Sequence, residues 1–548
     1  MKFTRSAVAL LAAAALTAGS SGSAVPAKPD DKTILHVLNR IGYGARPGDV
    51  ERVRQAGLAA YIDQQLHPER LADAGMPARL AGFETLTKSS QQLADEYFVP
   101  ALEVRRQVKK DAGNDPAMQK PDAADGKPVR TPEQMEAARR SREVLAELTE
   151  QKILRAAYSE RQLEEVMTDF WFNHFNVFAG KGATQQYITE YERDVIRPHA
   201  FGKFRDLLGA TAHSPAMLFY LDNWQSADPD AQNARVLGRP GAGFFGRPGR
   251  NGRIGARVPM PPSRPMPQDP SAPNAPRQKR GLNENYGREL MELHTLGVDG
   301  GYTQEDVINV ARAFTGWTIM TPRQGGTFRF EPRIHDAREK IVLGQKIKAG
   351  GGEGDGEKVL DILASRPATA KFISTKLARR FVSDTPPPAL VERAAARFRE
   401  TDGDIREVVR TIVTSPEFFS ADAYRAKVKS PFEFVVSAIR ATGTEVADAM
   451  PLAQAVRQLG MPLYMCQPPT GYPDKAEAWV NTGALLNRMN FALQLVGGRM
   501  RGLQPGTSPV SAVLANDVSP ATAGTIAKAT APTQVAALTL GSPEFQRR

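Results

Sequence analysis

The stretch from Gly281 to Val298 is dense in side chains that can do chemistry. On a helical wheel Asn285, Arg288, Glu289 and Glu292 fall within a sector of about 100°. Glu289 and Glu292 stand three apart, so both carboxylates can reach one point. That spacing suits a divalent cation or a general acid/base pair. Arg288 supplies the planar fork that grips a carboxylate, sulfate or phosphate. A second polar strip, Glu165, Asp169, Asn173 and Asn176, runs along a segment otherwise covered by Phe170, Trp171, Phe175 and Val177. Buried polar groups need partners, so this strip must face another polar strip, a ligand or water. His335-Asp336 adds a histidine with a carboxylate attached. The candidate catalytic set is therefore Asn173, Arg288, Glu289, Glu292, His335 and Asp336. The same residues also make a plain structural network. In that case Arg288 pairs with Glu292 one helical turn on, and Asn173 and Asn176 tie neighbouring helices.

Two further histidines read as structural. His174 projects beside Leu163, Met167 and Phe170, as a satisfied core residue would; its other role is a buried ligand or general base. His294 lies about 160° from Glu292 on the wheel, so the two cannot share a ligand. It sits in the last turn before Gly297, where a cation suits the helix dipole.

The elements that must position these groups are nearly all helical. Thr131-Pro-Glu-Gln134 and Ser159-Glu-Arg-Gln162 have the form of capping boxes, predicting a helix to about Ala157 and another to about Phe178. Asn283 or Asn285 can cap the Gly281–Val298 helix, with Gly297 as its stop. Tyr302-Thr-Gln-Glu-Asp306 starts another helix. Residues 318–344 hold the strongest strand signals, and Lys109–Arg130 reads as a loop. Pro367–Ser383 carries a basic face, Lys371, Lys376, Arg379 and Arg380, read as solvated. Ser415-Pro-Glu-Phe418 recurs as Ser542-Pro-Glu-Phe545, and serine before proline reads as a reused helix start. The predicted class is mainly α: a large multi-helix globular domain with a few short strands near 318–344 and long irregular loops.

Bulk properties narrow the classes. The chain has 548 residues, 41% hydrophobic and 24% charged, so it is globular and not disordered. Residues 1–27 have a basic start, a short apolar run and small residues, the pattern of a signal peptide, so the protein is expected to be exported, to the periplasm or beyond. No later run is long and apolar enough to span a bilayer. The single cysteine, Cys466, rules out an internal disulfide framework and a CxxCH haem motif. No HExxH, GxSxG, P-loop or dinucleotide fingerprint is present. Residues 28–225 and 281–548 read as two parts of one domain, separated by a Pro/Gly/Arg-rich insertion at 226–280. Ten Lys and Arg in that insertion suit contact with an anionic envelope polymer or polysaccharide. Its shortage of aromatic platforms argues against nucleic acid.

The ordered set Leu35–Val53, Asp169-Phe-Trp-Phe-Asn-His-Phe175, Asn283-Glu-Asn-Tyr-Gly-Arg-Glu-Leu-Met-Glu-Leu-His-Thr-Leu-Gly297, Tyr302–Trp317 and His335-Asp336…Leu343-Gly344 resembles the bacterial family known as domain of unknown function 1800. The resemblance runs from about residue 31 to the end. It implies an exported bacterial protein whose genes often neighbour those of a sulfatase-like family, which makes a sulfatase-like protein a candidate partner. The family carries no settled activity, so it assigns no catalytic residue and no cofactor.

Two functions follow as expectations. One is a secreted hydrolase or lyase acting on an envelope or extracellular polymer, with Glu289, Glu292, Asn173 and His335 or Asp336 in one cleft. The other is a non-catalytic envelope binding or assembly protein.

Overall fold

The computed structural model describes residues 24–114, 131–230, 281–320, 326–506, 510–515 and 517–548. Most of the expected signal segment and of the basic insertion lies outside the described residues. So does most of the expected loop at 109–130, whose first residues continue the helix Val99–Asn114.

Helix starts follow the local chemistry of the sequence. Asp30 caps α1 (Asp31–Arg40) by accepting from the Thr33 amide at 2.8 Å. Thr131 and Gln134 form the expected reciprocal box at the head of α2 (Pro132–Tyr158). Both satisfy amide groups that a helix leaves unpaired. The next start departs from expectation. Gln162 turns its amide onto the carbonyls of Ala156 and Ser159, at 3.1 and 2.9 Å. Its oxygen accepts from the Tyr43 amide at 3.1 Å, so a tertiary contact replaces the box. Helix α3 (Gln162–His174) therefore begins without a side-chain cap. It also stops short of Phe178: the Tyr191 hydroxyl takes the Phe175 carbonyl at 2.7 Å, and Asn176 falls beyond the helix.

Asn283 caps α4 (Glu284–Glu292) through the Tyr286 amide at 3.1 Å, and Gly297 takes the left-handed conformation past its end. Thr303 and Asp306 box the start of α5 (Gln304–Ala313). Two antiparallel ribbons lie in and just past the expected strand region, the last strand falling beyond residue 344. β1 (Trp317–Ile319) pairs with β2 (Phe328–Phe330), and β3 (Lys340–Val342) with β4 (Gln345–Ile347). Helix α6 (Pro367–Phe381) buries Ile373, Leu377 and Phe381. Helix α7 (Pro431–Thr442) is buried along its whole length, opened by a Ser430–Glu433 box and closed by left-handed Gly443. A helix apolar on nearly every side belongs in the middle of a core. The ribbon β5 (Glu445–Val446) with β6 (Leu503–Gln504) lies on either side in sequence of α8 (Thr482–Val496).

The architecture is mainly α, with a contiguous buried core running from Ile34 to Phe545. The two Ser-Pro-Glu-Phe segments start no helix. Each serine Oγ accepts the amide of the phenylalanine three residues on at 3.2 Å, closing one turn that seats Phe418 or Phe545 in the core. Among the described residues, no helix is long and apolar enough to cross a membrane.

Candidate functional site

The polar strip of α3 divides its work. Glu165 forms a two-toothed pair with Arg197 at 2.7 and 2.9 Å, and Asp169 pairs with Lys152 at 2.7 Å. Asn173 and Asn176 instead hold the Pro-rich segment 462–479. Asn173 donates to the Tyr472 carbonyl at 2.9 Å and accepts from the Tyr472 amide at 2.7 Å, as a neighbouring strand would. Asn176 donates to the carbonyls of Cys466 and Pro468 at 2.9 and 2.8 Å. The Tyr220 hydroxyl takes the Gln467 carbonyl at 2.7 Å. At Gly471, φ is +73° and a Cβ would lie 2.2 Å from the Asn173 carbonyl oxygen, so only glycine passes here. Side-chain amides thus give an irregular segment one conformation.

Pinning that segment leaves a cleft of about 220 Å³ between α3, α6 and the segment itself. Phe170, Tyr472 and Trp479 supply aromatic walls, Lys376, Arg379 and Arg380 of α6 supply positive charge, and Asp169, Glu433 and Asp474 supply carboxylates. His174 lines the cleft behind them. Its Nε2 lies 3.1 Å from the His294 carbonyl oxygen, which can only accept, so the proton sits on Nε2. That leaves Nδ1 as the acceptor for Lys376 Nζ at 2.8 Å. Among the described residues this is the only hydrogen bond of the Lys376 ammonium. Burial, and then the Lys376 charge, push the His174 imidazole far below its usual range, so it stays neutral. Burial, and then neighbouring Arg379, bring Lys376 down to about 8. Among the described residues Arg379 itself makes one hydrogen bond, from Nε to the Asp384 carbonyl at 3.2 Å.

The cleft gathers one member of the sequence-derived set, Asn173. Glu289 and Glu292 lie half-buried on α4. Glu292 accepts from the Tyr302 hydroxyl at 3.1 Å, and Arg288 donates to Gln304 at 2.7 Å, not to Glu292. Burial, and then Glu292, raise the Glu289 carboxyl. His335 and Asp336 sit in a separate buried cluster. There Asp336 is held by Arg312 and Arg338, and Asp355 by Lys340 at 2.7 Å and His335 at 3.2 Å. Among the described residues, no three His, Cys, Asp or Glu side chains come together as a cation site.

Lys376 and Arg379 looked like a solvated helix face. The signal against that is position: Lys376 and Arg380 flank the buried Ile373–Leu377–Phe381 stripe. His174 was the matching hint, as a ring on an apolar face with a ligand or base as its second role.

The chain matches the family model described as a protein of unknown function, DUF1800, over residues 36–547. It belongs to the DUF1800 family. No curated protein and no solved structure matches it. The geometry of this DUF1800 chain therefore has to carry its own chemistry. The cleft sets an amine whose basicity burial lowers beside aromatic rings, the cations Arg379 and Arg380, and the carboxylates of Asp169, Glu433 and Asp474.

Proposed function

We propose that this chain is an exported enzyme that acts on an anionic extracellular or envelope polymer, with Lys376 exchanging the proton in the bond-breaking step. The observation that carries the proposal is the Lys376 Nζ, 2.8 Å from His174 Nδ1 in the cleft. A lysine brought to about 8 has both protonation states accessible near neutral pH, which is what a general base or acid requires. His174, locked neutral, orients the amine and takes no proton itself. Arg379 offers a charge for a carboxylate or sulfate, and Tyr472 and Trp479 offer flat faces for sugar rings. Hydrolysis and elimination both fit this arrangement. Export rests on the amino-terminal pattern of residues 1–27.

The test is turnover of polygalacturonate, alginate and heparan sulfate by the wild type and by Lys376→Met. Turnover of one polymer that the substitution abolishes supports the proposal. Binding without turnover would favour the non-catalytic alternative, and equal turnover by both proteins would remove Lys376 from the chemistry.

A further inference from the structure

Helix α8 turns unlike sides to its surroundings. Arg488, Phe491, Ala492 and Leu495 are buried. One flank lies on α9 (Pro532–Gly541), so closely that a Cβ at Gly541 would meet Met489 Cε at 2.3 Å. The outer side carries Leu485, Leu486 and Leu493, which are 44%, 61% and 48% exposed. At 100° per residue these three and Met489 share a sector of about 100°. Leu486, Met489, Leu493 and Val496 follow one another at spacings of three, four and three, the seam of a helix that packs on another helix.

Charge is missing from this outer side. Between Glu477 and Arg499 the only charged residue is Arg488, and it is buried with Nη2 on the Lys429 carbonyl at 2.8 Å. The exposed polar residues of the helix are Asn487, Asn490 and Gln494. A helix that lies on lipid carries lysine and arginine on its polar flank, and this one carries amides. An apolar centre with an uncharged polar rim is the pattern of a protein interface. Charge returns at the two ends with opposite sign. Glu477 stands before the helix with its side chain 81% exposed, and among the described residues its one ion pair is with Lys475 at 3.9 Å. Arg499 and Arg501 are exposed beyond the other end. Two copies of α8 packed antiparallel would set Leu486 of each on Leu493 of the other. The same pairing brings Glu477 of each toward Arg499 and Arg501 of the other, whereas a parallel pair would set the arginines against one another.

We infer that the outer face of α8 is the interface of an antiparallel homodimer, with its twofold axis beside Met489 and Asn490. A twofold contact uses the same patch on both copies, so each exposed leucine is covered twice over. The interface is separate from the chemistry of the cleft.

The test is sedimentation of the full chain, which should run at twice the mass of one chain in the micromolar range. Leu486→Glu combined with Leu493→Glu should raise the dimer dissociation constant by about 100-fold and leave the circular-dichroism spectrum unchanged. If that variant does not fold, single cysteines decide. Under mild oxidation a mixture of Leu486→Cys and Leu493→Cys chains should crosslink, and neither variant should crosslink alone. A wild type that stays monomeric throughout the micromolar range, a dimer that the double substitution leaves intact, or crosslinking by either cysteine variant alone would each overturn the inference. A monomeric wild type that pellets with phosphatidylglycerol vesicles, and a double variant that does not, would give the face to lipid instead.

Discussion

Around Asp336 the cations meet oxygen. Arg312 and Arg338 hold Asp336, Lys340 donates to Asp355 at 2.7 Å and to the carbonyls of Asp336 and Arg338, and His335 lies between the Thr315 carbonyl and Asp355. In the cleft, among the described residues, Lys376 hydrogen-bonds a ring nitrogen and no oxygen, and otherwise lies over the Phe372 ring at 5.5 Å. Both regions are built from histidine, lysine, arginine and aspartate, and both are largely removed from water. The first has matched its charges and can gain little from a ligand. The second keeps an amine whose remaining donors have no partner. A carboxylate next to a histidine in sequence is thus a weaker sign of chemistry than a cation left short of acceptors in space.

The strongest way to break this contrast is Lys376→Met. Turnover of the responsive polymer should fall by about 10³-fold, while stability at neutral pH holds or rises. The sign follows from linkage. The folded value of Lys376, about 8, lies below its usual 10.5, so the folded state sheds the proton first. Burying the ammonium opposes folding in full below pH 8 and fades as the pH climbs toward 10.5. If the neutral amine is the base, the rate should climb with pH through about 8 and then level off. A pH–rate profile and a thermal melt check both parts.

Asp336→Asn should do the reverse, costing about 3 kcal/mol of stability by stranding Arg312 in a largely buried site and leaving the cleft chemistry intact. Arg312 and Arg338 hold the Asp336 carboxyl far below its usual range, so its contribution is complete above the ordinary carboxylate value and is lost only in strong acid. Urea melts at neutral and acidic pH measure this. The comparison collapses if Asp336→Asn abolishes turnover at unchanged stability.

Asn173→Ala removes both bonds to Tyr472 and should cost about 2 kcal/mol. Amide exchange should quicken across 466–474 and turnover should drop, because the cleft loses a wall. Ser430→Ala is the smallest change, about 1 kcal/mol for a lost cap, and denaturant melts with unchanged turnover should report it.

The helical class was legible because caps are local: Thr131, Asn283 and Thr303 each act on an amide within three residues. Ser159–Gln162 misled because Tyr43, far away in sequence, takes the glutamine oxygen. The wheel grouped Asp169 with Asn173 correctly, since both line the cleft. It could not show that Asn173 grips Tyr472, since that partner is an irregular segment almost three hundred residues on. The depressed basicity of Lys376 was hidden for the same reason: it arises from burial against α3, which no pattern within α6 records.

The segment 462–479 is fastened at its main chain. Asn173, Asn176 and Tyr220 take the carbonyls of Tyr472, Cys466, Pro468 and Gln467, and Asn173 also takes an amide. Main-chain carbonyls are common to every residue type. Tyr464, Tyr472, Asp474 and Trp479 add bonds from their own side chains, but Gln467 and Pro468 are held through their carbonyls, so their side chains can change between relatives without unfastening the wall. A helical frame that stays fixed while one wall drifts in sequence is a route by which a lineage could retune what its cleft admits.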